Sequence, residues 1–255
     1  MIFTANCERL ANALQSIQVK GKGSTSGGFG NTSLGQYAML IVTGQTLSIW
    51  NGNNTFFVKI DIQLVGETTN GSCIVDTSTL IPYVKTFGEL ITFKVGDFIA
   101  LSGHNRKASV PIVVRHPSND ALVRIKNMLN HVRYEIQPQT LFSFGKSQYE
   151  GAFTLTQPQL KSAIKNCELV KNGVYKFDYN ENILTVSSRD NVTNKYEEVI
   201  TPVFPMGEPA TIEFSSPVYA FFEKDQMLNL YMKDEFPLLI VSNDRMLLKA
   251  PTING

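Results

Sequence analysis

At 255 residues the chain is long for one domain and natural for two of about 125 each. Hydrophobic residues make up 43% and charged residues 18%, which excludes a disordered chain. The net charge of +1 excludes a global attraction to nucleic acid, so any such contact must come from local clusters of Lys and Arg.

The predicted elements follow in chain order. Phe3-Thr4 leads into a helix whose Cys7, Leu10, Ala11, Leu14 and Ile17 fall on one face. Residues 20–35 hold six glycines and little apolar content, which predicts a mobile loop. Strands are expected at 47–49 and 56–64, around the turn Asn51-Gly52-Asn53-Asn54. After Cys73-Ile74-Val75 comes a second helix, capped by Asp76 or Thr77, with Leu80, Val84 and Phe87 aligned. Strands at 90–95 and 98–101 close this half. Residues 115–148 read as a linker: His116-Pro117-Ser118-Asn119-Asp120 breaks the strands, and Leu122, Ile125, Leu129 and Val132 suggest a short amphipathic helix that Pro138 ends.

The order then repeats. Phe153-Thr154-Leu155 leads into a third helix, with Thr156 and Gln159 as a capping box, Leu160, Ala163, Ile164 and Cys167 as its stripe, and Asn172-Gly173 at its end. Strands are expected at 175–177, 183–186 and 210–214, the first two separated by the turn at 178–182. A short fourth helix follows, with Ser216 as cap, Pro217 in the first turn and Val218, Phe221 and Phe222 behind. Strands at 227–232 and 237–241 end the pattern. A duplicated unit with two helices on antiparallel strands is an α+β layer architecture. The expected division is 1–114 for the first domain, 115–148 for the linker and 149–255 for the second.

Chemistry-bearing motifs are scarce. Cys7, Cys73 and Cys167 stand far apart, without CxxC spacing, and are expected to be reduced and buried. His104, His116 and His131 lack metal-ligand spacing, and no nucleophile elbow, HExxH or carboxylate pair stands out. Gly21-Lys22-Gly23-Ser24-Thr25 superficially resembles a phosphate loop but lacks both the spacing and a preceding strand. The reading is therefore a protein that is not an enzyme and needs no cofactor or metal. Residues 1–6 lack a basic start followed by an apolar run, so no signal peptide is expected. There is also no stretch of about 18 apolar residues to span a membrane. The N-x-S/T triplets at Asn31, Asn53, Asn70 and Asn191 are taken as chance.

In layout the chain resembles the DNA sliding clamps, both proliferating cell nuclear antigen and the bacterial β clamp. The most specific stretch is the ending, Phe236-Pro237-Leu238-Leu239-Ile240 followed by Met246-Leu247-Leu248-Lys249-Ala250-Pro251-Thr252-Ile253. It is similar to the family's Pro-Leu strand and its Tyr-Tyr-Leu-Ala-Pro-x-Ile type of tail. Residues 47–58 fit the family's hairpin without gaps, and 102–111 resemble the bacterial clamp's domain-closing strand. The resemblance implies two tandem clamp domains per chain, six domains per ring and hence a homotrimer. Helices would line the hole and strands would form the outer wall.

It further implies a processivity factor that encircles double-stranded DNA inside the cell. The chain would tether a DNA polymerase and be handled by a clamp loader, with nuclease and ligase as further partners. The DNA-facing cations would be Arg9, Lys20, Lys22, Lys85, Lys161, Lys165, Lys171 and Lys224. They would supply attraction to phosphate that is blind to sequence and falls with salt. Family partners insert an aromatic-bearing peptide into a groove, which Trp50, Pro237, Leu248, Ala250 and Pro251 would line here. In this family the edge strands of neighbouring subunits pair, which points to 107–111 and 185–188. The chain departs from the family pattern in its near-neutral charge, in a linker made basic by Arg115, Arg124, Lys126 and Arg133, and in Leu247-Leu248 where the family has two aromatic residues. Two other readings fit: a clamp-like accessory acting as monomer or dimer, and a structural viral β protein without a DNA role.

Overall fold

The computed structural model describes residues 1–18, 37–52, 56–113, 143–144, 147–190, 193–215 and 218–252. The loop expected at 20–35, the linker helix at 122–132 and the cap at Ser216-Pro217 lie outside the described residues. The chain divides into two compact units, and each is described by itself.

The first unit runs β1 (Ile2–Asn6), α1 (Cys7–Ile17), β2 (Tyr37–Thr43), β3 (Thr46–Gly52), β4 (Phe56–Gln63), β5 (Val65–Thr69), β6 (Gly71–Asp76), α2 (Thr77–Thr86), β7 (Leu90–Val95), β8 (Phe98–Gly103) and β9 (Arg106–Pro111). Its strands form two antiparallel arrays, β5-β1-β7-β8-β9 and β4-β3-β2-β6. Asn6 starts α1 by accepting the Arg9 N–H at 3.0 Å, and the Asn51 side chain donates to the Ile17 carbonyl at 2.9 Å at the other end. The apolar stripe read from the sequence is buried in full, with Ala13 beside it. Asp76 caps α2 through the Ser78 and Thr79 N–H groups. Phe3 and Phe93 face each other across the β1–β7 pair and stack at 4.6 Å, which places the centre of this core between the sheet and the helices.

The second unit runs β10 (Ser143–Phe144), β11 (Ser147–Gln148), β12 (Gly151–Thr156), α3 (Gln157–Cys167), a 3-10 turn (Glu168–Val170), β13 (Val174–Asn180), β14 (Ile183–Arg189), β15 (Lys195–Ile200), β16 (Val203–Gly207), β17 (Ala210–Ser215), a 3-10 turn (Tyr219–Phe221), β18 (Met227–Met232), β19 (Leu238–Val241) and β20 (Arg245–Lys249). Its arrays are β16-β12-β18-β19-β20 and β15-β14-β13-β17, with β10 and β11 as a separate hairpin. Strand for strand this is the order of the first unit. A backbone bond repeats as well: Cys7 N–H to Glu89 at 2.9 Å, and Gln157 N–H to Gln226 at 2.9 Å, each tying the first residue of a helix to the approach of the strand beside it.

Three expectations need correction. The fourth helix is only the 3-10 turn Tyr219–Phe221. Residues 216–226 bridge β17 to β18, two fewer than the 77–89 that bridge β6 to β7. In addition, Arg245 Nη1 donates to the Phe221 carbonyl at 2.5 Å, occupying the acceptor that a further helical turn would use. The third helix ends at Cys167 and passes through the 3-10 turn to Lys171, which takes the left-handed conformation expected near Gly173. Finally, Cys73 is half-buried, whereas Cys7 and Cys167 are buried as expected.

Candidate functional site

Among the predicted cations, α3 holds the best-defined pair. The Thr156 hydroxyl accepts the Gln159 N–H at 3.3 Å, and Gln159 Oε1 accepts the Thr156 N–H at 2.9 Å, completing the capping box. Leu160, Ala163, Ile164 and Cys167 are buried. At the far end Asn166 Nδ2 donates to Glu198 Oε2 at 3.0 Å, and the Tyr196 hydroxyl donates to the same oxygen at 3.0 Å. Both ends of the helix are thus tied down. Lys161 is half-buried on the flank of the buried stripe and Lys165, one turn on, is exposed; neither forms an ion pair with a described residue.

The other cations are more scattered. Lys171 is exposed at the end of the 3-10 turn, its N–H bonded to the Glu168 carbonyl at 3.1 Å. Lys224 is exposed between Glu223, which pairs with Arg245, and Asp225. In the first unit Arg9 is exposed in the first turn of α1 next to Glu8, and Lys85 is exposed in the last turn of α2. Lys20 and Lys22 lie outside the described residues.

The residues expected to receive a peptide are split between the units. Trp50 lies on β3 of the first unit, 8% exposed, edge-on to Phe57 at 5.9 Å, with Lys59 Nζ 6.0 Å from its ring. Its indole N–H is buried without an acceptor among the described residues. The remaining four belong to the second unit. The Pro237 carbonyl accepts the Tyr149 hydroxyl at 2.8 Å, and burial pushes that phenol's pKa far up. Leu248 is buried on β20 opposite Leu239, and Ala250 and Pro251 are half-buried. The Thr252 N–H donates to the Glu213 carbonyl at 2.7 Å and holds this tail against β17.

Sequence reading missed the role of Arg245. The residue is 5% exposed, and its side chain donates to the Phe221 carbonyl, pairs with Glu223 and stacks 5.7 Å from the Phe221 ring. A lone Arg between strand residues carries no signal of such burial.

Among the described residues no group of three or more His, Cys, Asp or Glu is placed to hold a metal ion. Burial pushes the thiol of Cys73 up to about 12 and that of Cys167 up to about 11, leaving both as unreactive thiols near neutral pH. A cavity of about 20 Å³ beside Thr154, Phe204, Asn229 and Tyr231 has room for a single water. No described helix is long and apolar enough to cross a membrane.

No family model and no curated protein sequence matches the chain. Solved structures do match its fold. The DNA polymerase III subunit beta from Pseudomonas aeruginosa is 14% identical with a TM-score of 0.72; the match covers 100% of this chain and 66% of that one. The Helicobacter pylori beta clamp bound to a DNA ligase peptide is 13% identical with a TM-score of 0.69, covering 100% and 67%. The A. fulgidus PCNA bound to the C-terminal region of FEN-1 is 12% identical with a TM-score of 0.68, covering 100% and 99%. The chain thus spans about two thirds of the bacterial chains and nearly all of the archaeal one. Its fold is that of the DNA sliding clamps.

Proposed function

We propose that the chain is a sliding clamp, a polymerase processivity factor that encircles duplex DNA without chemistry of its own. The observation that carries this reading is the strand-for-strand repeat within a clamp fold that spans 99% of an archaeal PCNA chain. Domains at 1–114 and 149–255, joined by 115–148, would make two per chain, so three chains complete a six-domain ring. Free strand edges support closure of that ring. Among the described residues, β9 of the first unit pairs only with β8 and carries Arg106 and Lys107 without an acid; in the second, β15 pairs only with β14 and carries Glu197 and Glu198 against one Lys195. Such edges can join head to tail between copies. The 185–188 segment expected at this interface lies on β14, whose two edges are already taken by β13 and β15, so β15 replaces it.

Within the ring the duplex-facing cations would be Arg9, Lys85, Lys165, Lys171 and Lys224, all exposed, and the half-buried Lys161; Lys20 and Lys22 belong to the same expected set. They hold phosphates weakly enough to slide, because the closed ring and not the contact prevents escape. The neighbours that carry a ligase peptide and a FEN-1 segment support peptide docking at Trp50, Pro237, Leu248, Ala250 and Pro251. A polymerase, a loader, a nuclease and a ligase are the partners this reading implies, inside a cell and on DNA.

The decisive experiment is primer extension by the cognate polymerase on singly primed closed circular DNA, with solution mass measured in parallel. Longer products per binding event and a mass three times the 28.4 kDa of one chain are expected. A single-chain mass at micromolar concentration, with no stimulation at any salt, overturns the reading.

A further inference from the structure

We infer that the two units of the chain do not share the duplex equally: the α3 face of the second unit carries the larger part of the phosphate contact, and the α1 face of the first unit carries little. This rests on the clamp reading above and adds which unit does the holding.

The repeat makes the comparison residue by residue. Both helices have 11 residues, both follow the strand at the same place in the same sheet order, and both begin at the residue bonded to its neighbour's carbonyl at 2.9 Å. Position for position, Lys161 then corresponds to Ala11 and Lys165 to Gln15. Ala11 is buried in its core and Gln15 is exposed and neutral. The only charges on α1 are Glu8 and Arg9, adjacent and opposite, so Glu8 offsets part of Arg9's attraction to a phosphate. The eleven residues of α3 include two lysines and no acid.

The lysine pair is also placed as a contact surface. Like charges one helical turn apart repel and slightly destabilise the helix; no described acid forms an ion pair with either, and the nearest along the chain is Glu168, three residues after Lys165. A polyanion relieves that repulsion when it binds. The tied helix ends, Thr156–Gln159 and Asn166–Glu198, hold the pair on a rigid rod, so little order is lost on contact. Beyond α1, among the described residues expected to face the duplex, the first unit adds Lys85 from α2, and the corresponding stretch of the second unit adds Lys224 between two acids. Those two contributions differ little, so α3 makes the difference between the units. In a ring of three chains the grip therefore alternates around the hole.

The test compares the parent with two double variants, Lys161→Ala/Lys165→Ala and Arg9→Ala/Lys85→Ala. For each, affinity for a duplex oligonucleotide is measured against salt concentration, alongside solution mass and polymerase stimulation on circular DNA. Each lost phosphate contact flattens the log–log salt slope by roughly 0.9. The α3 variant is expected to flatten the slope at least twice as much as the other, with the mass of both unchanged. Equal flattening, or a larger effect from Arg9 and Lys85, overturns the inference while the clamp reading survives through the parent's stimulation of the polymerase. A parent that neither binds duplex nor stimulates the polymerase defeats the clamp reading itself.

Discussion

Arg245 reaches from the start of β20 to the carbonyl oxygen of Phe221, 2.5 Å away, and its guanidinium lies 5.7 Å from the same residue's ring. One side chain thereby fixes the turn that stands where the first unit has α2. Arg245→Met keeps the apolar stem but leaves that buried carbonyl without its donor and Glu223 without its cation. A loss of about 2 kcal/mol is expected. Urea unfolding checks it, and an unmoved midpoint would show that the contact stabilises nothing.

Gly151 starts β12 at a point where a Cβ would meet the Tyr179 ring at 2.8 Å and the Glu208 carbonyl at 2.9 Å. Tyr179 stacks on Phe153 at 5.0 Å and is 1% exposed, so it has nowhere to retreat. Gly151→Ala is expected to cost about 1–3 kcal/mol through overpacking. Thermal unfolding at neutral pH reads the effect; Gly173→Ala, where no neighbour lies within 4 Å but φ is +70°, serves as a comparison for backbone strain alone.

Burial pushes Lys249 down to about 8. Its pKa is therefore lower folded than unfolded, and between these values the unfolded chain binds more protons. The burial penalty is complete below pH 8 and fades as pH rises toward the ordinary lysine value near 10.5. The thiols of Cys73 and Cys167 act in the opposite sense: both pKa values are raised by folding, so their contribution is lost as pH climbs above about 9. Subtracting the stability profile of Lys249→Met from that of the parent removes the thiol part. The difference should rise with pH from about 8 to 10; a flat difference means that the lysine titrates normally.

The open edges of β9 and β15 make a separate prediction. Arg106→Glu with Lys107→Glu places acids on the edge that would face Glu197 and Glu198 of a neighbouring copy. Both altered residues are exposed, so the isolated fold should be kept. Light scattering is expected to give the mass of one chain, where the proposed ring predicts three for the parent. A trimer that survives the double reversal excludes β9 from the interface.

Much of this architecture was legible in local spacing. The stripes of α1 and α3, the Asp76 cap and the Thr156–Gln159 box are set by residues three or four apart, so periodicity and short-range hydrogen bonding suffice to read them. The expected strands 47–49, 90–95, 183–186 and 227–232 all fall within β3, β7, β14 and β18 for the same reason. β5, β15 and β16 escaped reading because their burial follows no strong apolar alternation; they are largely exposed edge strands.

The sequence alone therefore determined the helices α1, α2 and α3, most of the strands, the repetition of the pattern and the clustering of lysines on α3, because each depends on neighbours along the chain. Only the tertiary structure decided which strands pair, that β14 is enclosed while β9 and β15 each keep an edge unpaired among the described residues, and that Trp50 and Leu248 are buried. It also decided that the fourth helix gives way to a turn held by Arg245. Those outcomes turn on partners far apart in sequence, where hydrogen bonding and packing choose among arrangements that local propensity leaves equal in energy.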